Sequence, residues 1–144
     1  MDKSDIEAVI QKAQVCRIAL VDGDQPYVVP VCFGHRDGKL YFHSSLRGRK
    51  MAALRRNDRV CVEFEVDVGL APNELPCKFS LRYRSAVAFG RAVEVADPAE
   101  KLEGLNLVMR HYTGCDWEFP EDKVARVAVV RVDIESMTGK SAGY

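Results

Sequence analysis

The sequence predicts a mainly β protein with a few short helices, folded as a small closed barrel. About six segments alternate apolar and polar residues or carry β-branched runs, and Asp-Gly turn dipeptides separate several of them. Segments with helical periodicity are few and short. No GxGxxG motif is present, which argues against a doubly wound nucleotide-binding fold.

The first half of the chain predicts one helix and three strands. Ser4 and Glu7 have the spacing of a capping box, and the apolar residues after them lie on one helical face. Strands are expected at about Val15–Val21, Tyr27–Phe33 and Lys39–Phe42. The dipeptides Asp22-Gly23 and Asp37-Gly38 tolerate the positive φ of hairpin turns, so these strands are expected to form a three-stranded meander.

The second half predicts three more strands and a helix longer than the first. The strands are expected at about Arg59–Val66, Lys78–Val95 and Val124–Ile134. The first of them alternates apolar and polar residues, which indicates one buried face. Gly90 marks a bend or bulge in the long strand. Asp97 and Pro98 are typical of a helix start, and Gly114 is typical of a helix end.

Composition and charge indicate a single globular domain over residues 1–144. The 21 basic and 21 acidic residues balance, which argues against general nucleic-acid binding. No apolar run approaches ~18 residues, and the N-terminus lacks a basic-then-apolar signal pattern, so a cytoplasmic protein without a membrane partner is expected. Five cysteines without a CxxC pair indicate buried thiols rather than disulfides. His111 and Cys115 lack a third ligand nearby, so no metal site is expected.

The stretch from residue 39 to residue 51 changes from a strand into a helix at a point that suits a bound phosphate. Two hydroxyls, a glycine and three cations lie there: Ser44, Ser45, Arg47, Gly48, Arg49 and Lys50. A helix start offers free backbone N–H groups and a partial positive charge, and both stabilise an anion. The alternative is that Ser45 is only an N-cap and the cations form a solvated face.

The run from Tyr41 to Asn57, YFHSSLRGRKMAALRRN, resembles the phosphate-binding segment of the pyridoxamine 5'-phosphate oxidase-related flavoproteins, the FMN-binding split-barrel family. Within that family it is most similar to the nitroimidazole-reductase-like, antibiotic-resistance-associated branch. The similarity continues upstream through PYVVPVCFGHRDGKLYFH and downstream through RYRSAVAFGRAVEV. The order and spacing of these three segments carry the resemblance.

The resemblance implies a Greek-key split barrel of about six strands that binds FMN at the interface of a homodimer. Arg49 and Lys50 would neutralise the phosphate. Ser44, Ser45, Gly48 and backbone N–H groups would complete the cradle around it. The resemblance therefore assigns the basic stretch to the cofactor.

The resemblance also implies which residues approach the flavin ring. The strand edge at Pro30, Val31 and Cys32 would pass the isoalloxazine with its backbone groups. Ser85 would contact the ring from the long strand, and Arg84 or Arg82 would assist the phosphate. Side chains alternate along a strand, so Ser85 and Arg84 are expected on opposite faces.

His43 stands between the strand and the phosphate segment. Some relatives carry a functional histidine near the flavin, and His43 is the position matched to it. There it would donate a proton or contact the substrate near neutral pH. The alternative is a hydrogen-bonded histidine at the barrel rim.

The predicted function is that of an FMN-dependent oxidoreductase. Electrons would pass from a reduced nicotinamide or another donor to a small organic acceptor, of which a nitroaromatic is one candidate. The alternative is a non-catalytic flavin or haem carrier, or a small-ligand-binding protein, on the same barrel, because a fold alone does not fix an activity.

Overall fold

The computed structural model describes residues 1–144 and contains four α-helices and seven β-strands. The helices are α1 (Lys3–Lys12), α2 (Arg49–Arg56), α3 (Pro98–Thr113) and α4 (Glu121–Val124). The strands are β1 (Cys16–Asp22), β2 (Gln25–Val31), β3 (Gly34–Arg36), β4 (Lys39–Ser45), β5 (Arg59–Ala71), β6 (Ser80–Glu94) and β7 (Val127–Ala142). One 3₁₀ turn spans Pro76–Lys78. None of the helices combines the length and the apolar character that a membrane crossing requires.

All seven strands belong to one antiparallel sheet in the order β2-β1-β5-β6-β7-β4-β3. The two edge strands are β2 and β3, which do not pair with each other. The predicted class, mainly β with short helices, is confirmed, with seven strands instead of about six. The additional strand is β3, whose three residues are too few to give a periodic signal.

The predicted three-stranded meander is wrong, because β4 does not pair with β2. The β1–β2 hairpin forms as expected, but the chain then crosses to the opposite edge of the sheet. Phe33 makes this crossing through the core, where it is fully buried and its ring lies 5.1 Å from the ring of Phe64. The Asp37-Gly38 turn joins β3 to β4, and β4 then pairs along its whole length with β7. Long-range pairing therefore overrides the simplest local arrangement.

The sheet curls around one main core. Leu40 and Phe42 of β4 point into it, and in β5 the residues Val60, Val62 and Phe64 do the same, as the predicted alternation required. Tyr41 points the other way, into a smaller apolar cluster beneath α3. The two faces of β4 are therefore both covered at this level, one by the barrel interior and one by a helix.

Two glycines set the backbone geometry on which these layers depend. Gly90 lies at a register shift between β6 and β7, and a Cβ there would be 2.2 Å from the carbonyl oxygen of Asp133, which confirms the predicted bulge. Gly34 lies against the backbone of α3, where a Cβ would be 2.4 Å from the carbonyl carbon of Leu107. The close approach at Gly34 brings α3 down onto β3 and β4.

Several predicted boundaries differ from the structure. The first helix is capped by Asp2, whose carboxylate accepts from the backbone N–H of Asp5 at 2.9 Å, so the capping box is not the Ser4 and Glu7 pair. The final strand begins at Val127 instead of Val124, because α4 occupies the preceding residues. It also continues to Ala142, since β6 provides a long partner for this polar segment.

Candidate functional site

The helix α2 begins with an open N-terminus. Its N-cap is Gly48, which adopts a φ of 120° and provides no side-chain hydrogen bond. The alternative of an N-cap at Ser45 is wrong, because the Ser45 hydroxyl donates to the carbonyl oxygen of Arg47. The first N–H groups of α2 therefore face an exposed loop without a capping side chain, as an anion site requires. Any residue with a side chain would have a strained backbone at position 48, so this turn requires the glycine.

Lys50 is half-buried at this helix start and has no acidic partner within the chain. Its ammonium lies 5.6 Å from the centre of the Phe42 ring. Burial lowers the pKa of Lys50, which means that the site disfavours the charge that Lys50 carries. A bound anion would reverse that penalty, so Lys50 fits a phosphate.

Arg49 is already held by another part of the chain. Its Nε donates to Asp22 Oδ2 at 2.7 Å, and its guanidinium lies 4.2 Å from the centre of the Tyr27 ring. Arg56 bonds the other oxygen of the same carboxylate at 2.8 Å. The two Nη atoms of Arg49 make no hydrogen bond within the chain. Asp22 and Tyr27 thus fix the guanidinium and leave its outer donors free.

Two further cations without acidic partners lie near the start of α2, one close to it in sequence and one next to it across the sheet. Arg47 lies in the loop before α2 and is exposed. Arg126 immediately precedes Val127, which pairs with Ser45. The sequence reasoning missed Arg126, because only the pairing of β7 with β4 brings its position beside the phosphate segment.

Ser44 and His43 point to opposite faces of β4. Ser44 is buried on the core side, whereas His43 is exposed on the side covered by α3. The imidazole of His43 makes no hydrogen bond within the chain and borders an apolar cavity of about 180 Å³. Within the chain, neither ring nitrogen of His43 has the partner that a hydrogen-bonded rim histidine would have.

The segment Pro30, Val31 and Cys32 lies at the end of the edge strand β2. Val31 is buried in the core, while Pro30 and Cys32 are exposed. Because β2 pairs only with β1, the backbone groups on its outer edge are free to meet a ligand. This segment thus has the free edge that a contact with the isoalloxazine would use.

Arg84 and Ser85 do not lie beside the phosphate segment of the same chain. Ser85 pairs with Lys140 of β7, and Ser45 pairs with Val127 of that strand. Thirteen residues separate these two positions on β7, up to about 43 Å of extended strand. Arg84 instead donates to Asp67 Oδ2 at 2.8 Å. One chain alone therefore does not assemble all of the predicted site residues.

Cys16 and His35 are two buried side chains outside this region. Burial raises the pKa of the Cys16 thiol to about 12, but the expectation that the thiols are buried is wrong for Cys32, Cys77 and Cys115, which are exposed. His35 lies two residues before the Asp37-Gly38 turn, yet its side chain is buried. The side chain of His35 is only 5% exposed, with Nδ1 3.6 Å from the Glu7 carboxylate. Neither residue points to the candidate site.

Comparison with known proteins assigns the chain to a family. The family described as pyridoxamine 5'-phosphate oxidase matches residues 2–141. The chain belongs to that family. Pyridoxamine 5'-phosphate oxidase-like proteins of known structure have the flavin-binding split-barrel fold seen here, which confirms both the predicted fold and the resemblance.

Among solved members of this fold, one from Bacteroides thetaiotaomicron is a proposed 5-nitroimidazole antibiotic resistance protein. It is 36% identical, with a TM-score of 0.87 over 96% of this chain and 82% of that one. A protein from Mycobacterium smegmatis that binds FAD and haem has a TM-score of 0.88 at 20% identity, over 99% and 72% of the two chains. At that identity the second likeness shows the fold alone.

A curated relative matches a shorter part of the chain. It is an uncharacterised protein from Rhizobium meliloti (strain 1021), 30% identical over 63 residues. The match spans 44% of this chain and 41% of that relative, less than half of either.

Proposed function

We propose that this protein is an FMN-dependent oxidoreductase that reduces a small organic acceptor, with nitroaromatic compounds as one candidate class. The observation that carries the proposal is Lys50, a half-buried ammonium without an acidic partner at the uncapped start of α2. A phosphate there would receive a charge-assisted bond together with backbone N–H groups. The family and the flavin-binding fold support the same conclusion.

The phosphate would be held by groups of three kinds. Lys50 supplies the charge that has no other partner, and the free Nη donors of Arg49 supply a second cation. The open loop at Gly48 leaves the first amides of α2 accessible. Ser45 ends the adjoining strand, and its hydroxyl would have to exchange its bond to the Arg47 carbonyl oxygen for one to the phosphate, whereas Ser44 points to the core. These residues fit a phosphate ester, and FMN is the flavin that presents one at its end.

The ring would lie against the free edge of β2. Bound FMN would supply the hydride and electron chemistry. The backbone at Pro30, Val31 and Cys32 would orient the ring by hydrogen bonds. His43 would hold or donate a proton at its imidazole nitrogen, because neither of its ring nitrogens has a partner within the chain.

We also propose a homodimer in which the flavin lies at the subunit interface. Arg84 and Ser85 of β6 pair with the end of β7 that is far from the phosphate segment, so a second copy of the chain would have to provide them. The ends of β5 and β6, residues 68–81, extend beyond the rest of the sheet as an arm. Five large apolar side chains on it are about half exposed: Val68, Leu70, Leu75, Phe79 and Leu81. Apolar surface of this kind favours burial against a partner.

Free thiols support a cytoplasmic location. None of the five cysteines is in a disulfide, which suits a reducing compartment. A reduced nicotinamide, the proposed electron donor, is also a cytoplasmic metabolite.

A second candidate function is that of a flavin or haem carrier without turnover. The fold is shared with the Mycobacterium smegmatis protein that binds FAD and haem, and this likeness favours the carrier. The absorption spectrum of the purified protein separates haem from flavin. Anaerobic addition of a reduced nicotinamide should bleach the flavin bands, and a nitroaromatic should then restore them. Flavin that stays oxidised with every donor, or stays reduced with every acceptor, would support the carrier.

A further inference from the structure

One carboxylate bonds residues at both ends of α2 and thereby ties this helix to the β1–β2 hairpin. Asp22, the last residue of β1, accepts from Arg49 Nε at 2.7 Å and from Arg56 Nη2 at 2.8 Å, each through a different oxygen. These arginines are the first and the last residues of α2. The side chain of Asp22 is only 19% exposed, so it is better shielded from solvent than the carboxylate of an ordinary surface ion pair.

The two arginines differ in their other contacts. The Nε of Arg56 donates to the carbonyl oxygen of Ala52 at 3.3 Å, and the rest of this side chain is exposed. The guanidinium of Arg49 instead lies 4.2 Å from the centre of the Tyr27 ring, on β2. A carboxylate at one edge and an aromatic ring at its side restrict the rotation of the Arg49 guanidinium.

Arg49 occupies a position where a helix disfavours a cation. It directly follows Gly48 at the start of α2, where the helix carries a partial positive charge, and the first turn contains no acidic residue. Asp22 offsets this charge through a bond to Nε alone, so the two Nη atoms have no hydrogen-bond partner within the chain. A cation held at this place with unused donors contradicts the local preference of the helix, which is typical of a functional position.

We propose that Asp22 is a positioning residue for the phosphate of the cofactor and acts through Arg49. Because the carboxylate fixes the guanidinium before the cofactor binds, less side-chain entropy is lost on binding. Asp22 also ends the strand that pairs with β2, so it links the phosphate segment to the strand whose edge would meet the ring. This role rests on the proposed function, since it requires a phosphate at the start of α2.

Asp22→Asn tests this role in a titration of the flavin-free protein with FMN and with riboflavin. The variant keeps the shape of the side chain but removes the charge that holds Arg49. FMN affinity should fall about two- to tenfold, as expected when one long side chain must be immobilised on binding. Riboflavin affinity should change by less than about twofold. An FMN affinity that is unchanged or higher would overturn the proposal, and so would equal losses for the two flavins.

A double-mutant cycle tests whether Asp22 acts through Arg49. In the Arg49→Ala background, Asp22→Asn should cause no further loss of FMN affinity, because the group that it positions is absent. A further loss as large as that in the parent would overturn the proposal. If Asp22→Asn does not fold, Tyr27→Leu removes the aromatic ring from the same guanidinium and should lower FMN affinity selectively. An unchanged FMN affinity in that variant would overturn the proposal instead.

Two controls separate the positioning of Arg49 from the anchoring of α2. Glu94→Gln is the matched control, because Glu94 bonds Arg55 of the same helix through both carboxylate oxygens, at 2.7 and 2.8 Å. Arg56→Met removes the second arginine from Asp22 and leaves Arg49 bound. Both variants should keep the affinities for the two flavins within about twofold of the parent. A loss of FMN affinity in either control as large as that in Asp22→Asn would overturn the proposal in favour of helix anchoring.

Lys50→Met distinguishes a failure of this role from a failure of the proposed function. A selective loss of FMN affinity in Lys50→Met, with Asp22→Asn like the parent, would overturn the role of Asp22 and leave the phosphate site in place. If neither variant changes the affinity for FMN relative to that for riboflavin, the phosphate site itself is overturned, and the role of Asp22 with it.

Discussion

Replacing Lys50 by Met should separate the affinity for FMN from that for riboflavin. The change removes the ammonium but keeps an unbranched apolar stem against the Phe42 ring. Lys50 has no acid within the chain, so its charge is available to the ligand in full. A charge-assisted contact to phosphate contributes about 1.5–3 kcal/mol, which corresponds to a loss of about ten- to a hundredfold in FMN affinity.

The assay is a titration of flavin-free protein with each flavin, followed by flavin fluorescence. Riboflavin lacks the phosphate, so its affinity should change by less than about twofold in the variant. Lys3→Met is the matched control, because Lys3 is exposed on α1 and also has no ion pair. It should leave both affinities unchanged.

Arg49→Ala should reduce FMN affinity by less than Lys50→Met. The Nε of Arg49 is already bound to Asp22, so only its outer donors would meet the phosphate. Equal losses for FMN and riboflavin in Lys50→Met would refute the reasoning, since they would place Lys50 away from the phosphate. An FMN affinity that does not change would refute it as well.

Three further perturbations follow from the structure. His43→Gln should bind FMN like the parent but slow reoxidation by a nitroaromatic in stopped flow, and an unchanged rate would contradict a catalytic role. Gly34→Ala should lower the free energy of unfolding by about 3 kcal/mol in urea titrations, because its Cβ meets the backbone of Leu107. Gly69→Ala is the control, since a Cβ there would lie 3.7 Å from its nearest neighbour, the flexible end of Arg82, and an equal loss of stability at both positions would refute the prediction. Burial lowers the pKa of His35, so this histidine binds a proton more readily in the unfolded chain than in the folded one, and the free energy of unfolding should fall as the pH drops below about 6.5. His35→Gln should flatten this pH dependence in urea titrations from pH 5 to 7.5, and an unchanged slope would contradict the prediction.

Local signals in the sequence were sufficient for most elements of the fold. The alternation of Val60, Val62 and Phe64 predicted a half-buried strand, and the structure has it. Asp97 and Gly114 predicted both ends of α3, where the Asp97 carboxylate accepts from the N–H of Glu100 at 3.0 Å. These features depend on neighbours only a few residues apart, which is why a single sequence reveals them.

Features that depend on distant partners were not predictable in the same way. β4 pairs with β7, which places Ser45 opposite Val127. Local sequence patterns therefore reveal neither that β4 is separated from β2 nor that Arg126 lies beside the phosphate segment. In the sequence, the three cations of the basic stretch are equally good candidates for binding the phosphate. Only the fold reveals that Asp22, 27 positions before Arg49, holds that arginine and leaves Lys50 unpaired. Likewise, the burial of His35 depends on packing with residues distant in sequence, among them Glu7 of α1, whose carboxylate lies 3.6 Å from Nδ1.

The free edge of β2 also bears on solubility. Pro26 and Pro30 lie in this strand, and because proline has no N–H they fit only where the backbone groups face away from β1. Between them, Val28 is then the one residue that presents both a donor and an acceptor to solvent. Such an edge cannot template a ladder with another chain, although its carbonyl oxygens still accept bonds from a small molecule. The strand is thereby protected against amyloid-like growth at the place where it stays open to a ligand.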